Sequence, residues 1–188
     1  MSVLHLDLTE NATRQYLLET VLAHLAAGKQ DAVRASLAAA GVPDGHHHGL
    51  PEVEHTIDAL QVSSQVKEDV RAVYNILAAA EAQVHGCRVE ETHFHEVGNA
   101  EAIRNVVGIC LGLEALAPAR ITATAVQTGS GTVACAHGVL NIPAPATAAI
   151  LATGIPTCKN TLEGELCTPT SAALIKHFVN EFIEDAGA

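Results

Sequence analysis

The sequence predicts an α+β fold, with five or six helices packed on a small mixed sheet, and three observations carry that expectation. Apolar residues recur at helical spacing over long stretches, as in Val66, Val70, Val73, Leu77, Ala80 and Val84. Between those stretches lie short β-branched or alternating segments, such as Val3-Leu4-His5-Leu6-Asp7-Leu8 and Ile121 to Gln127. The core material is aliphatic: hydrophobic residues make up 48% of the 188-residue chain, aromatics only 3%, and tryptophan is absent.

The elements follow in order. Residues 3–8 read as a first strand. Thr9 or Asn11 can cap a helix running to about Ala27, with Gly28 as its stop. A second short helix reaches about Ala40, and Gly41-Val42-Pro43-Asp44-Gly45 is a loop. Pro51 suits the first position of a helix carrying Val53, Ile57 and Leu60. Ser63 or Ser64 caps the long helix that ends at His85-Gly86, where glycine supplies a left-handed stop. Its apolar seam is either core or a dimer surface. Residues 92–97 read as a strand, and Asn99 caps the next helix, with Glu101 in its positive first turn and Pro118 at its end. Further strands are expected at 120–127, 132–136 and 155–159, the last at an edge because of Pro156. Asn141 to Thr147, with Pro143 and Pro145, reads as a stiff entry to a helix running to Thr153-Gly154. Thr168-Pro169-Thr170 opens the last helix, which reaches about Phe182. The whole, 1–188, is expected to be one domain: a strand plus helical arm over 1–45 and a motif-bearing region over 46–182.

Composition narrows the function. There are 21 acidic against 10 basic residues, a formal net charge of −11, and no Lys/Arg cluster, which argues against nucleic acid and anionic membrane as partners. No apolar run has membrane-span length and the N-terminus does not read as a signal peptide. The five cysteines are odd in number and form no C-x-x-C, which suits free thiols in a cytoplasmic setting.

Eleven histidines are the oddity of this chain. Thr92-His93-Phe94-His95-Glu96-Val97-Gly98 crowds chelating side chains between two helices. Period 2 puts His93 and His95 on one face of a strand, where two imidazoles can grip one metal ion. Glu96 is then a carboxylate that orients an imidazole, a base, or a third ligand if the chain bends toward Gly98. The alternative is a pair of ordinary histidines on a half-buried strand. His46-His47-His48 reads as a metal-acquiring loop or a solvated one, His137 stands at a strand end, and His85 either binds metal or complements its helix dipole. Gly129-Ser130-Gly131 is a turn rich in backbone N–H groups that can cradle an anion or simply close a hairpin. Thr168 and Thr170 mark a helix start suited to an anion or to plain capping.

Taken in order, Glu81-Ala82-Gln83-Val84-His85-Gly86, His93-Phe94-His95-Glu96-Val97-Gly98, Gly129-Ser130-Gly131-Thr132-Val133, Ala136-His137-Gly138, Pro143-Ala144-Pro145-Ala146-Thr147 and Glu165-Leu166 with Thr168-Pro169-Thr170 resemble the N-terminal half of the LarC nickel-insertion family over about residues 46–178. The histidine run also falls where that family carries one. The resemblance implies insertion of nickel into a thiocarboxylated pyridinium mononucleotide, giving the nickel pincer nucleotide cofactor of lactate racemase, a lyase-class reaction that depends on CTP. It implies imidazole ligands for Ni2+ among His93, His95, His46, His47, His48, His137 and His85. It implies phosphate contacts at Gly129, Ser130, Gly131, Thr168 and Thr170. It further implies proton acceptance by Glu96, and by Glu101, which stands where the family has the first of two aspartates; the second position is Asn105. Leu8 to Gln15 replaces the family's Ser/Gly-rich first loop, and Ser171 replaces a glycine. The chain stops where the family's C-terminal half begins, so a C-terminal partner chain, with CTP bound through it, is expected, and a homo-oligomer is compatible. A non-catalytic nickel chaperone or store, and a structural relative, are the competing expectations.

Overall fold

The computed structural model describes residues 2–45, 49–94, 97–135 and 138–183. A parallel three-stranded sheet is formed by β1 (Val3–Leu6), β2 (Arg120–Ala123) and β7 (Glu181–Phe182), with β2 in the centre and Leu4 opposite Ile121. The helices are α1 (Arg14–Ala23), α2 (Ala27–Ala39), α3 (Leu50–Ala59), α4 (Ser64–His85), α5 (Ala100–Leu116), α6 (Pro145–Leu151) and α7 (Pro169–Phe178). Two antiparallel pairs complete the fold. β3 (Gly129–Ser130) pairs with β6 (Gly164–Glu165), and β4 (Thr132–Cys135) forms a hairpin with β5 (Gly138–Asn141). The α+β class therefore holds. The strands divide into three small sheets instead of one mixed sheet, and seven α-helices are present among the described residues.

α4 and α5 are the central helices. Ser63 caps α4 by accepting from the Val66 N–H, and Gly86 ends it at φ 65°, as its sequence position suggests. Val66, Val70, Val73 and Leu77 are fully buried, so the seam is core and not a surface for a second copy. Asn99 caps α5 through the Ala102 N–H at 2.8 Å. α5 is buried on nearly every side from Ala100 to Leu113. At Gly112 a Cβ would meet Val21 Cγ1 at 2.7 Å, which shows how closely α1 lies on α5. No helix among the described residues is long and apolar enough to cross a membrane.

The differences from the sequence expectation have local causes. The first helix ends at Ala23 and Gly28 lies inside α2, because the chain bends at extended Ala26 to lay Val33 into the core. Thr13, not Thr9 or Asn11, caps α1; the Asn11 side chain instead accepts from the Thr13 N–H at 2.9 Å. Over 92–97, His93 makes a single antiparallel bridge with Gly49 and no ladder is seen among the described residues. Its alternation survives nonetheless: Phe94 is buried and His93 exposed. The expected strands at 120–127 and 155–159 shrink to β2 and one parallel bridge, Val126 with Thr157. α7 stops at Phe178 because Asn180 turns to β2: its N–H donates to the Ile121 carbonyl at 2.9 Å, and its Oδ1 accepts from the Ile121 N–H at 2.7 Å.

One buried amide joins the loops at the end of the parallel sheet. Gln127 is 2% exposed. Its Nε2 donates to the carbonyls of Thr9 at 3.2 Å and Asn160 at 3.0 Å. Its Oε1 accepts from the N–H groups of Gly129 at 3.1 Å and Leu162 at 3.3 Å. Its full capacity of two donors and two acceptors is thereby used. Nearby, the Ala12 N–H donates to the Leu166 carbonyl and the Leu166 N–H to the Thr128 carbonyl. Gly129, at φ 81°, packs so tightly that a Cβ would sit 1.8 Å from the Gly164 oxygen. Gln127→Leu keeps the volume but strands buried backbone groups in three loops, so it should cost about 3 kcal/mol or more in urea unfolding. A loss under about 1 kcal/mol would contradict this role.

Candidate functional site

A cleft of about 590 Å³ opens where helix ends meet. The N-terminal parts of four helices line it: Thr13, Arg14 and Gln15 of α1, Glu101 and Asn105 of α5, Ala144, Pro145 and Ala146 of α6, and Thr168, Pro169 and Thr170 of α7. Glu81, Val84 and His85 contribute the last turn of α4. Val84, the one seam residue that is not core, is 39% exposed for this reason. The β4–β5 hairpin lies along the cleft with Val133, Cys135 and Leu140, and Glu165 comes from β6.

The cleft is lined by helix termini of both polarities. N-terminal helix turns carry partial positive charge and favour anions, while the C-terminal turn of α4 carries the opposite sign and favours cations. At the α4 end, His85 Nε2 lies 3.5 Å from Glu81 Oε2, one helical turn away. At the α5 end, Arg14 Nη2 lies 3.5 Å from Glu101 Oε1. The α7 start is held by a reciprocal cap. The Thr168 hydroxyl accepts from the Ser171 N–H at 3.3 Å, and the Ser171 hydroxyl accepts from the Thr168 N–H at 2.9 Å. This gives Ser171 a structural role. Thr170 is 1% exposed, and its Oγ1 has no hydrogen-bond partner among the described residues.

The sequence-derived candidates fall into three groups. Glu101, Thr168, Thr170 and His85 line this cleft. Gly129, Ser130, Gly131 and His93 are described but are not among its lining residues. Ser130 Oγ donates to the Leu162 carbonyl at 2.8 Å, and the Gly131 carbonyl accepts from the Ile142 N–H at 3.0 Å. The third group, His46, His47, His48, His95, Glu96 and His137, lies outside the described residues. Both neighbours of the 46–48 run are tied to the stretch that contains His93. The Gly45 carbonyl accepts from the Ala100 N–H at 3.0 Å, and Gly49 bridges His93. Tyr74 fixes the same stretch from below, donating to the Val97 carbonyl at 2.9 Å and meeting the Phe94 ring edge-on at 5.8 Å. Among the described residues no three His, Cys, Asp or Glu side chains are grouped to hold a metal ion.

Sequence reasoning did not find Thr13, Arg14, Gln15, Glu81, Glu165 or Cys135 as cleft residues. Glu81 carried a signal in its i,i+4 spacing from His85 on a helical segment, and Glu165 in its place in the motif before Thr168. The others reach the cleft through tertiary packing.

These features define an α+β protein with a cleft lined by both anion-favouring helix starts and a carboxylate–imidazole pair. Comparison with known proteins is specific. The family described as nickel insertion protein matches residues 3–186, and the chain belongs to it. A pyridinium-3,5-bisthiocarboxylic acid mononucleotide nickel insertion protein of Desulfitobacterium hafniense is 40% identical over 140 residues, 74% of this chain and 35% of that protein. Its namesake in Staphylococcus saprophyticus is 41% identical over 131 residues, 70% of this chain and 33% of that protein. The chain thus spans about a third of the length of these curated relatives. No solved structure matches it.

The wall behind the α7 start contains Cys167, whose thiol burial pushes up from 9.0 to about 11, opposed by the hydrogen bond from Ser171. Burial raises Cys110 in the same direction. A folded value above the unfolded one means that this stability is complete below about pH 9 and is lost as the pH climbs toward 11. The urea midpoint should therefore fall across that window, and Cys167→Ala should flatten part of the fall. An unchanged profile in the variant would contradict the assignment.

Proposed function

We propose that this chain is the nickel-handling and substrate-binding part of a protein that inserts Ni2+ into a thiolated pyridinium mononucleotide. The single observation that carries the reading is the cleft lined by helix termini of both polarities, in a member of the nickel insertion family. The helix starts of α1, α5 and α7 suit the substrate's anionic groups, and the α4 end suits its cationic partner. The names of the Desulfitobacterium and Staphylococcus relatives supply the substrate class.

In this reading nickel is cargo. Imidazole is a fitting ligand for Ni2+, and His93, His95, His46, His47, His48, His137 and His85 are the candidate holders. The reading is supported by the bridge of Gly49 with His93 and the bond of the Gly45 carbonyl to the Ala100 N–H at the start of α5. Forming a carbon–nickel bond replaces a ring proton: the C–H bond breaks, the C–Ni bond forms, and Glu96 or Glu101 takes the proton. Thr168 and Thr170 contact the phosphate. Gly129, Ser130 and Gly131 help by shaping the backbone beside β6. The complete lyase reaction uses CTP and a C-terminal partner chain, in the cytoplasm.

Nickel titration by calorimetry, with zinc and cobalt as competitors, tests the metal part. One tight nickel site should be lost in His93→Ala and in His95→Ala while thermal unfolding stays unchanged. Binding should weaken as the pH falls toward about 6.5, because protonated imidazole cannot ligate. Parent-like nickel binding by both variants would refute the role of this stretch. Turnover of the thiolated mononucleotide with CTP should require the C-terminal partner; partner-independent turnover would refute the divided arrangement.

A further inference from the structure

We propose that Arg14 is the phosphate-recognising cation of the cleft, and that by moving onto the phosphate it releases Glu101. The inference rests on the mononucleotide reading above and assigns the step by which that site senses its substrate.

Arg14 is the only Lys or Arg among the described residues lining the cleft, whose acidic lining residues are Glu81, Glu101 and Glu165. An anionic ligand entering this acidic space has one positive side chain to meet. Arg14 stands in the first turn of the ten-residue helix α1, directly after the Thr13 cap, so its charge adds to the positive end of that helix. Its side chain is 25% exposed and held against the fold, whereas that of Glu101 is 77% exposed. The contact joining them is one Nη2–Oε1 approach at 3.5 Å. A pair so long, with so exposed an acid, is a weak one. A guanidinium presents a planar fork of N–H donors that matches a phosphate in two parallel bonds, which one long contact to a carboxylate does not equal.

A second observation points to the same ligand. Thr170, in the first turn of the ten-residue helix α7, lines the cleft with a hydroxyl that is buried and lacks a partner among the described residues. Leaving a buried hydroxyl unpaired is costly, and an anion in the cleft would remove that cost. Arg14 and Thr170 thus supply complementary contacts, one charged and one neutral, from two helix starts that line the same cleft.

The consequence for Glu101 follows from charge. While Arg14 lies beside it, the Glu101 carboxylate is engaged by the guanidinium. Once the phosphate claims the guanidinium, that contact is given up with substrate in place. The base named for the proton-accepting step is therefore freed by the substrate's own phosphate.

Calorimetry on the full chain tests this with two probes: pyridinium-3,5-dicarboxylic acid mononucleotide, a sulfur-free analogue, and its dephosphorylated nucleoside. The wild type should bind the mononucleotide more tightly. Arg14→Gln should weaken mononucleotide binding by about tenfold or more and leave nucleoside binding unchanged. Thr170→Val should weaken it in the same selective way. Glu101→Gln, an exposed change that does not threaten the fold, should tighten mononucleotide binding severalfold, because it removes the competitor for Arg14. Equal binding of both probes by the wild type would overturn the phosphate site while sparing the mononucleotide reading. Binding of neither would overturn both. Wild-type affinity in Arg14→Gln, or weakened binding in Glu101→Gln, would overturn the exchange.

Discussion

The cleft exists because one buried amide holds three loops in register. Gln127 spends both donors and both acceptors on the backbone of Thr9, Gly129, Asn160 and Leu162. The Thr9 loop leads into α1, and the 160–162 loop leads into β6 and then α7. The Ala12–Leu166 backbone bond closes the same junction. Two helix starts far apart in sequence are thereby brought to one cavity. A buried amide with every valence matched is rigid for the reason that an unmatched one would be costly.

On that scaffold the chemistry comes mainly from helix ends. The starts of α1, α5 and α7 and the end of α4 bring helix termini of both polarities to the cleft, without a cluster of basic side chains. An acidic chain of net charge −11 can then accept an anion locally while repelling polyanions in general.

The helices were legible in the sequence because their signals are local. The seam of α4, its serine cap and its Gly86 stop need no knowledge of the rest of the chain, and the same is true of Asn99 and Thr168. The two-residue strands β3, β6 and β7 were not legible, since two residues carry no period. β7 in particular forms because Asn180 prefers β2 to another helical turn. The alternation at 92–97 correctly sorted buried Phe94 from exposed His93, yet among the described residues the stretch shows one bridge and is fixed by Tyr74. Gly129 read either as part of an anion cradle or as a plain hairpin turn; the close approach of Gly164 gives it a packing reason. Arg14 had no local pattern at all, and Glu165 stood in a motif that gave it no role. Their place in the cleft is a product of the Gln127 junction, which sequence spacing does not encode.

The measurement that tests this cleft most directly is an amide NMR map of the full chain, titrated first with the sulfur-free mononucleotide and then with Ni2+. The nucleotide should shift resonances at residues 13–15, 101–105 and 168–171. Paramagnetic broadening by nickel should fall on residues around His85 and His93. Nucleotide shifts confined to surfaces away from these helix starts, or nickel broadening spread evenly over the exposed histidines, would contradict the account.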